Sequence, residues 1–240
     1  MLVIARSELV QIFRNRTVLV SGLVMPLAAS IYFIYVRETF EAQGGGLGHI
    51  SAMLVFTIAA FGLYATSVTT LAGRRQSLFL KRLRSTATSD PAILSGLMLP
   101  IALICLGQIA AVLVVFGAVA GWPADVALLA VAVASTFVMM LALGLATAGV
   151  TSSPEQAQVT TLPLSLGVVA VVIWVGLTGT EQLALLKRVL PGGAAAELVT
   201  RAWNGGDPLA ESLLLLVPSL AWVVVSIALA TRMFSWEPRR

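Results

Sequence analysis

Six apolar runs, residues 17–36, 50–72, 92–120, 125–150, 158–179 and 209–231, take up most of this 240-residue chain. Each comes to the ~20 residues that an α-helix, rising ~1.5 Å per residue, needs to cross the ~30 Å hydrocarbon layer of a bilayer. Within that layer only helices and closed barrels satisfy their own backbone groups, and these runs are too long and too uniformly apolar for barrel strands. An all-α polytopic membrane protein with six spans is the expectation. Composition agrees: 11% of residues are charged and mean hydropathy is +0.96, where soluble domains carry roughly 25% charged residues. The spans leave little else, so residues 1–240 are expected to form a single transmembrane domain, with any soluble catalytic or nucleotide-binding part on another polypeptide.

Orientation is read from lysine and arginine. Arg6, Arg14 and Arg16 precede the first run; Arg74, Arg75, Lys81, Arg82 and Arg84 follow the second; Arg232, Arg239 and Arg240 close the chain, so that eleven of the 15 basic residues share one side of a six-span protein. Arg37, Lys187, Arg188 and Arg201 fall on the other side, beside Glu38, Glu41, Glu181, Glu197 and Asp207. Both termini are thus expected in the cytoplasm. The net charge of +4 and pI near 9.8 reflect this sorting and anionic headgroups rather than nucleic-acid binding. The first run is longer than a signal-peptide core and lacks a small-residue cleavage site, so it reads as a retained span.

Outside the runs, residues 2–15 alternate at helical spacing, with Leu2, Ala5, Leu9, Ile12 and Phe13 on one face and Ser7, Glu8, Gln11, Arg14 and Asn15 on the other. This predicts an interfacial helix over residues 1–16 along the inner leaflet, or else a plain extension of the first span. Pro26 is expected to bend the first span. Residues 73–91, GRRQSLFLKRLRSTATSDP, place Phe79, Leu80 and Leu83 on one helical side and Arg74, Lys81 and Arg82 on the other. Docking to a soluble partner and anchoring to lipid phosphates are the two readings of that segment. Residues 180–208 read as two half-length helices broken at Pro191-Gly192-Gly193 and ended by Asn204-Gly205-Gly206-Asp207-Pro208. They predict an outer re-entrant or interfacial hairpin, or an ordinary surface loop.

The reactive inventory is thin. His49 is the one histidine and Cys105 the one cysteine, so neither a metal site nor an intrachain disulfide is expected. No ionisable residue stands near the centre of a run, which speaks against an ion-coupled secondary transporter, and no carboxylate pair or Ser/His set supports an intramembrane enzyme. A non-transporting sensor or assembly subunit could share the topology. The small residues Ala142, Gly144, Ala146, Ala148 and Gly149 mark close helix packing in the fourth run.

Taken together, the six spans, the amphipathic N-terminus, the basic stretch LFLKRLRSTATSDPAILSG and the broken hairpin resemble the permease subunit of type-2 ATP-binding cassette exporters. By layout the resemblance covers the chain; its sequence-specific part is residues 74–96, where Gln76-Ser77 and Thr86-Ala87 stand in place of a glycine and a Thr-Pro pair that relatives often carry. The resemblance implies a bacterial plasma-membrane exporter of hydrophobic or amphipathic molecules such as drugs, antibiotics or lipids. It implies a second permease copy, most simply a homodimer, and two copies of a cytoplasmic ATPase that bind ATP and Mg; the chain lacks G-x-x-x-x-G-K-[ST] and is expected to hold no cofactor and do no catalysis itself. Residues 74–91 would be the coupling loop, with Phe79, Leu80 and Leu83 as apolar anchor and Arg74, Arg75, Lys81, Arg82 and Arg84 orienting the ATPase. The substrate path would draw on Met25, Phe33, Phe56, Phe61, Tyr64 and Trp174. The abundance of arginine over lysine agrees with a GC-rich bacterial genome.

Overall fold

The structure, a computed structural model, describes residues 14, 19–42, 46–85 and 89–233, and these contain helices and no strand. In chain order the helices are α1 (Val20–Tyr35), α2 (Arg37–Ala42), α3 (Leu47–Gln76), α4 (Phe79–Arg84), α5 (Asp90–Ala120), α6 (Val126–Val150), α7 (Pro154–Thr178), α8 (Ala184–Val189), α9 (Gly193–Asn204) and α10 (Leu209–Met233). Among the described residues α3, α5, α6, α7 and α10 are each long and apolar enough to cross a membrane, and α1 is a shorter apolar helix. Five candidate spans thus stand where six were expected. The predicted interfacial helix lies outside the described residues, save Arg14.

Where boundaries differ from the hydropathy reading, local chemistry explains it. α7 starts four residues before the predicted run because Ser153 caps it, its hydroxyl accepting from the Gln156 N–H at 3.2 Å, with Pro154 and Glu155 in the first turn. Asp125 caps α6 in the same way, accepting from the Leu128 N–H at 2.8 Å. α3 runs past Gly73 to Gln76 and then breaks at Leu78, whose φ of 59° ends the helix in the left-handed region.

α3 is the central post. It is almost wholly buried, enclosed by α1, α5, α6, α7 and α9, while α10 packs mainly along α6. The outer sides of α5, α7 and α10 expose residues such as Val114, Leu166 and Val224, as expected of surfaces that meet acyl chains rather than water.

α1 and α3 each contain a stretch of π-helix, Val20–Val24 and Ile58–Ala65, a form usually confined to single turns and frequent at functional sites. They meet where both are smallest: a Cβ on Gly62 would lie 3.0 Å from the Gly22 carbonyl, and one on Gly22 would lie 2.6 Å from the Thr66 hydroxyl. Pro26, predicted to bend the span, stands two residues beyond the end of this wide stretch in α1 and has no N–H to give the turn behind it. Neighbouring polar groups reach the widened backbone: Gln108 Nε2 donates to the Leu23 carbonyl at 3.1 Å and Ser165 Oγ to the Ala60 carbonyl at 3.4 Å. Within lipid such side chains replace the water that would otherwise satisfy these groups.

Candidate functional site

The two ends of the bundle differ in chemistry. At one end lie the α3–α4 elbow, the α6–α7 turn and the close of α10: Gly73 abuts Pro154, its Cβ position 3.2 Å from the proline ring, and Gly149 abuts Met233 at 3.1 Å. This end carries Arg74, Arg75, Lys81, Arg82, Arg84 and Arg232. At the other, the N–H groups of Ala124 and Asp125 donate to the carbonyls of Trp203 and Ala202 at 3.0 Å, and the Gly48 N–H donates to Asn204 Oδ1 at 3.0 Å.

At the elbow the amphipathic pattern of α4 is realised with its apolar side turned inward. Leu80 is 0% exposed, and Phe79 and Leu83 pack partly buried against the core. Of the three residues expected to anchor a partner, Leu80 is therefore spent on this chain's own fold, while Phe79 and Leu83 keep part of their surface exposed. Arg75 is also removed from the surface. It is 1% exposed, and its Nη2 donates to the carbonyls of Ala148, at 3.0 Å, and Thr151, capping the end of α6. Arg74 lies half-buried over the Phe79 ring, 5.2 Å from its centroid. Lys81, Arg82 and Arg84 do face outward, Arg84 paired with Asp90 at 3.4 Å. Beside them stands Leu78, 43% exposed. A wheel drawn as one continuous helix misses it, because the left-handed turn at Leu78 resets the register.

Of the six candidate path residues, Phe56 and Tyr64 belong to the hydrophobic core and Phe33 packs against it. Met25 is exposed on α1, Phe56 and Tyr64 are buried inside the bundle, Phe33 meets Phe40 edge-on at 6.2 Å, Phe61 is half-buried on the π-helical stretch of α3, and Trp174 lies under the Lys187 ammonium at 5.1 Å. A small recess where α1, α3 and α5 cross, lined by Gly22, Gly62, Thr66 and Cys105, contains none of them. Helices apolar on every side hold no signal for which face meets lipid, protein or cargo, so aromatic content alone could not pick a path.

The opposite end is closed by the α8–α9 hairpin, with its break at Pro191-Gly192 as expected. It is more deeply seated than a surface loop: most of α9 is buried against α3 and α6, and the Trp203 ring packs at a tilt on Phe116 with centroids 5.0 Å apart. Lys187 is buried. It donates to Thr178 Oγ1 at 2.8 Å and the Gly179 carbonyl at 2.6 Å, a cation capping the negative end of α7. Glu197 binds Arg188 through both carboxylate oxygens at 2.7 Å and Arg201 at 2.7 Å. Burial alone would raise its carboxyl, but the two guanidiniums outweigh that and hold it below the ordinary 4.5. The Arg188 guanidinium is raised in turn, chiefly by its hydrogen bond to Glu197. His49 is buried face-on against Gly176, where a Cβ would fall 1.5 Å from Nδ1.

A protein-family model described as ABC-2 type transporter matches residues 1–178, that is, through the last residue of α7. No curated protein matches the chain.

Proposed function

The chain belongs to the ABC-2 type transporter family, a membrane permease of the ATP-binding cassette class, and from that premise we propose that it is the transport subunit of an exporter powered by a separate ATPase docking at the α3–α4 elbow. α1 completes six spans, which puts the elbow, the α6–α7 turn and both termini in the cytoplasm, in keeping with the basic residues gathered at that end. A second copy of the chain pairs with it in the membrane, and two ATPase copies supply ATP and Mg. The cargo is hydrophobic or amphipathic, since charged groups among the described residues keep to the ends of the long helices. A bacterial plasma membrane is its setting.

The observation that carries the reading is the elbow itself: a strained, exposed leucine ringed by outward lysine and arginine, at the end of the most buried helix. Contact there concerns Leu78, Lys81, Arg82 and Arg84, with Phe79, Leu80 and Leu83 as the backing. The test is affinity purification of the tagged chain from its native membrane in mild detergent, with identification of any co-purifying protein that carries a phosphate-binding-loop ATPase domain. The native chain and an Arg37→Glu control at the far end should retain it, and the Lys81→Glu/Arg82→Glu variant should lose it. Recovery of folded chain without any ATPase would overturn the proposal.

A further inference from the structure

Arg75 does something a coupling surface does not require. It is a buried cation, and replacing buried ion pairs by apolar side chains of similar volume often leaves a protein no less stable. Its value is therefore to be sought in what it joins. Two of its acceptors are main-chain carbonyls at the end of α6, Ala148 and Thr151, groups left without helical partners and lying at the negative end of the helix. One nitrogen of a planar, rigid guanidinium bonding two carbonyls sets the orientation of α3 against α6 more tightly than a flexible ammonium could.

From Thr151 the contacts continue. Its hydroxyl donates to the Thr147 carbonyl at 2.9 Å and meets the Thr160 hydroxyl of α7 at 3.0 Å. The Thr147 hydroxyl meets the Tyr64 hydroxyl at 3.0 Å, back in the π-helical part of α3. α3 is thus tied to α6 from two of its own turns, at Tyr64 and at Arg75, and both ties converge on residues 147–151 at the end of α6; the tie at Thr151 also holds the start of α7. The packing of Gly73 on Pro154 leaves no gap between elbow and turn.

We propose that Arg75 is a positioning residue that makes the α3–α4 elbow and the α6–α7 turn move as one body, so that a displacement applied at α4 reaches α7 as well as α3. This rests on the reading of the elbow as the ATPase-facing surface. The test uses the full complex with its ATPase in nanodiscs, in a Cys105→Ala background, with an environment-sensitive fluorophore on either Ser85→Cys, at the end of α4, or Glu155→Cys, in the first turn of α7. Natively both labels should respond to Mg-ATP with vanadate. In Arg75→Gln the Ser85 response should persist while the Glu155 response falls at least about twofold; Arg75→Lys, which keeps the charge but loses the rigid planar fork, should lie between, and stands in if Arg75→Gln does not assemble. A Glu155 response that keeps pace with Ser85 in both variants overturns the proposal while leaving the ATPase reading intact. Silence of both labels in the native complex overturns the reading of the elbow as the ATPase-facing surface, and this proposal with it.

Discussion

Glu197→Gln should loosen the hairpin end of the protein by a measurable amount. The glutamine keeps the shape and one acceptor but removes the charge that holds Arg188 and Arg201, both 2.7 Å from the same oxygen. Removing one partner from a fully buried ion pair costs about 3–5 kcal/mol. Glu197 is 6% exposed and Arg201 17%, but Arg188 is 35% exposed, which reduces the expected loss to about 2–3 kcal/mol. For a chain of this size that is a fall in Tm of about 4–12 °C, read by tryptophan fluorescence during heating in detergent. The loss should not add to that of Arg188→Gln, because the second change removes one of two guanidiniums left facing each other. The pH dependence has a definite sign. A carboxyl held below its unfolded value of 4.5 stabilises fully above that value and progressively less as pH falls beneath it. The Tm difference between native and Glu197→Gln should therefore stay flat from neutrality to about pH 5 and shrink below that. A difference under about 2 °C at neutral pH, or one that grows on acidification, would refute the view that this cluster is a desolvated clamp.

Further outcomes follow from close contacts. Gly62→Ala should cost about 1–3 kcal/mol by forcing α1 and α3 apart at Gly22, whereas Gly107→Ala, whose Cβ would meet nothing within 4 Å, should leave Tm unchanged or raise it; equal losses would show that the π-helical crossing is not tightly packed. Gly176→Ala should abolish folded protein on size-exclusion chromatography because the methyl occupies the place of the His49 ring, and His49→Ala in the same chain should restore it. Leu78→Gly relieves a left-handed conformation costing ~1–2 kcal/mol, so Tm should hold or rise while retention of the ATPase drops; a joint fall of both would mean that Leu78 serves the fold rather than docking.

How much of this could be read beforehand depended on whether the property was local. The limits of α5, α6 and α10 came within a few residues of the apolar runs, and the break between α8 and α9 fell at Pro191-Gly192, because hydropathy, caps and Pro-Gly turns act over a few residues of chain. The charge asymmetry between the two ends is likewise legible as a count along the sequence, as was the likeness to the family. Partner choice within the bundle was not. Arg75 and Arg82 look alike in sequence, yet one caps α6 inside the protein and the other faces out; Leu80 is wholly buried while Leu78, two residues earlier, is exposed in a left-handed turn. Lys187 seals the end of α7, and of the aromatic and methionine candidates Phe56 and Tyr64 are core while Met25 is exposed. The reason is physical: a membrane helix is apolar on every side, so its sequence determines that it spans, while only the packed neighbours decide which face is core, which meets lipid and which buried cation finds a carbonyl.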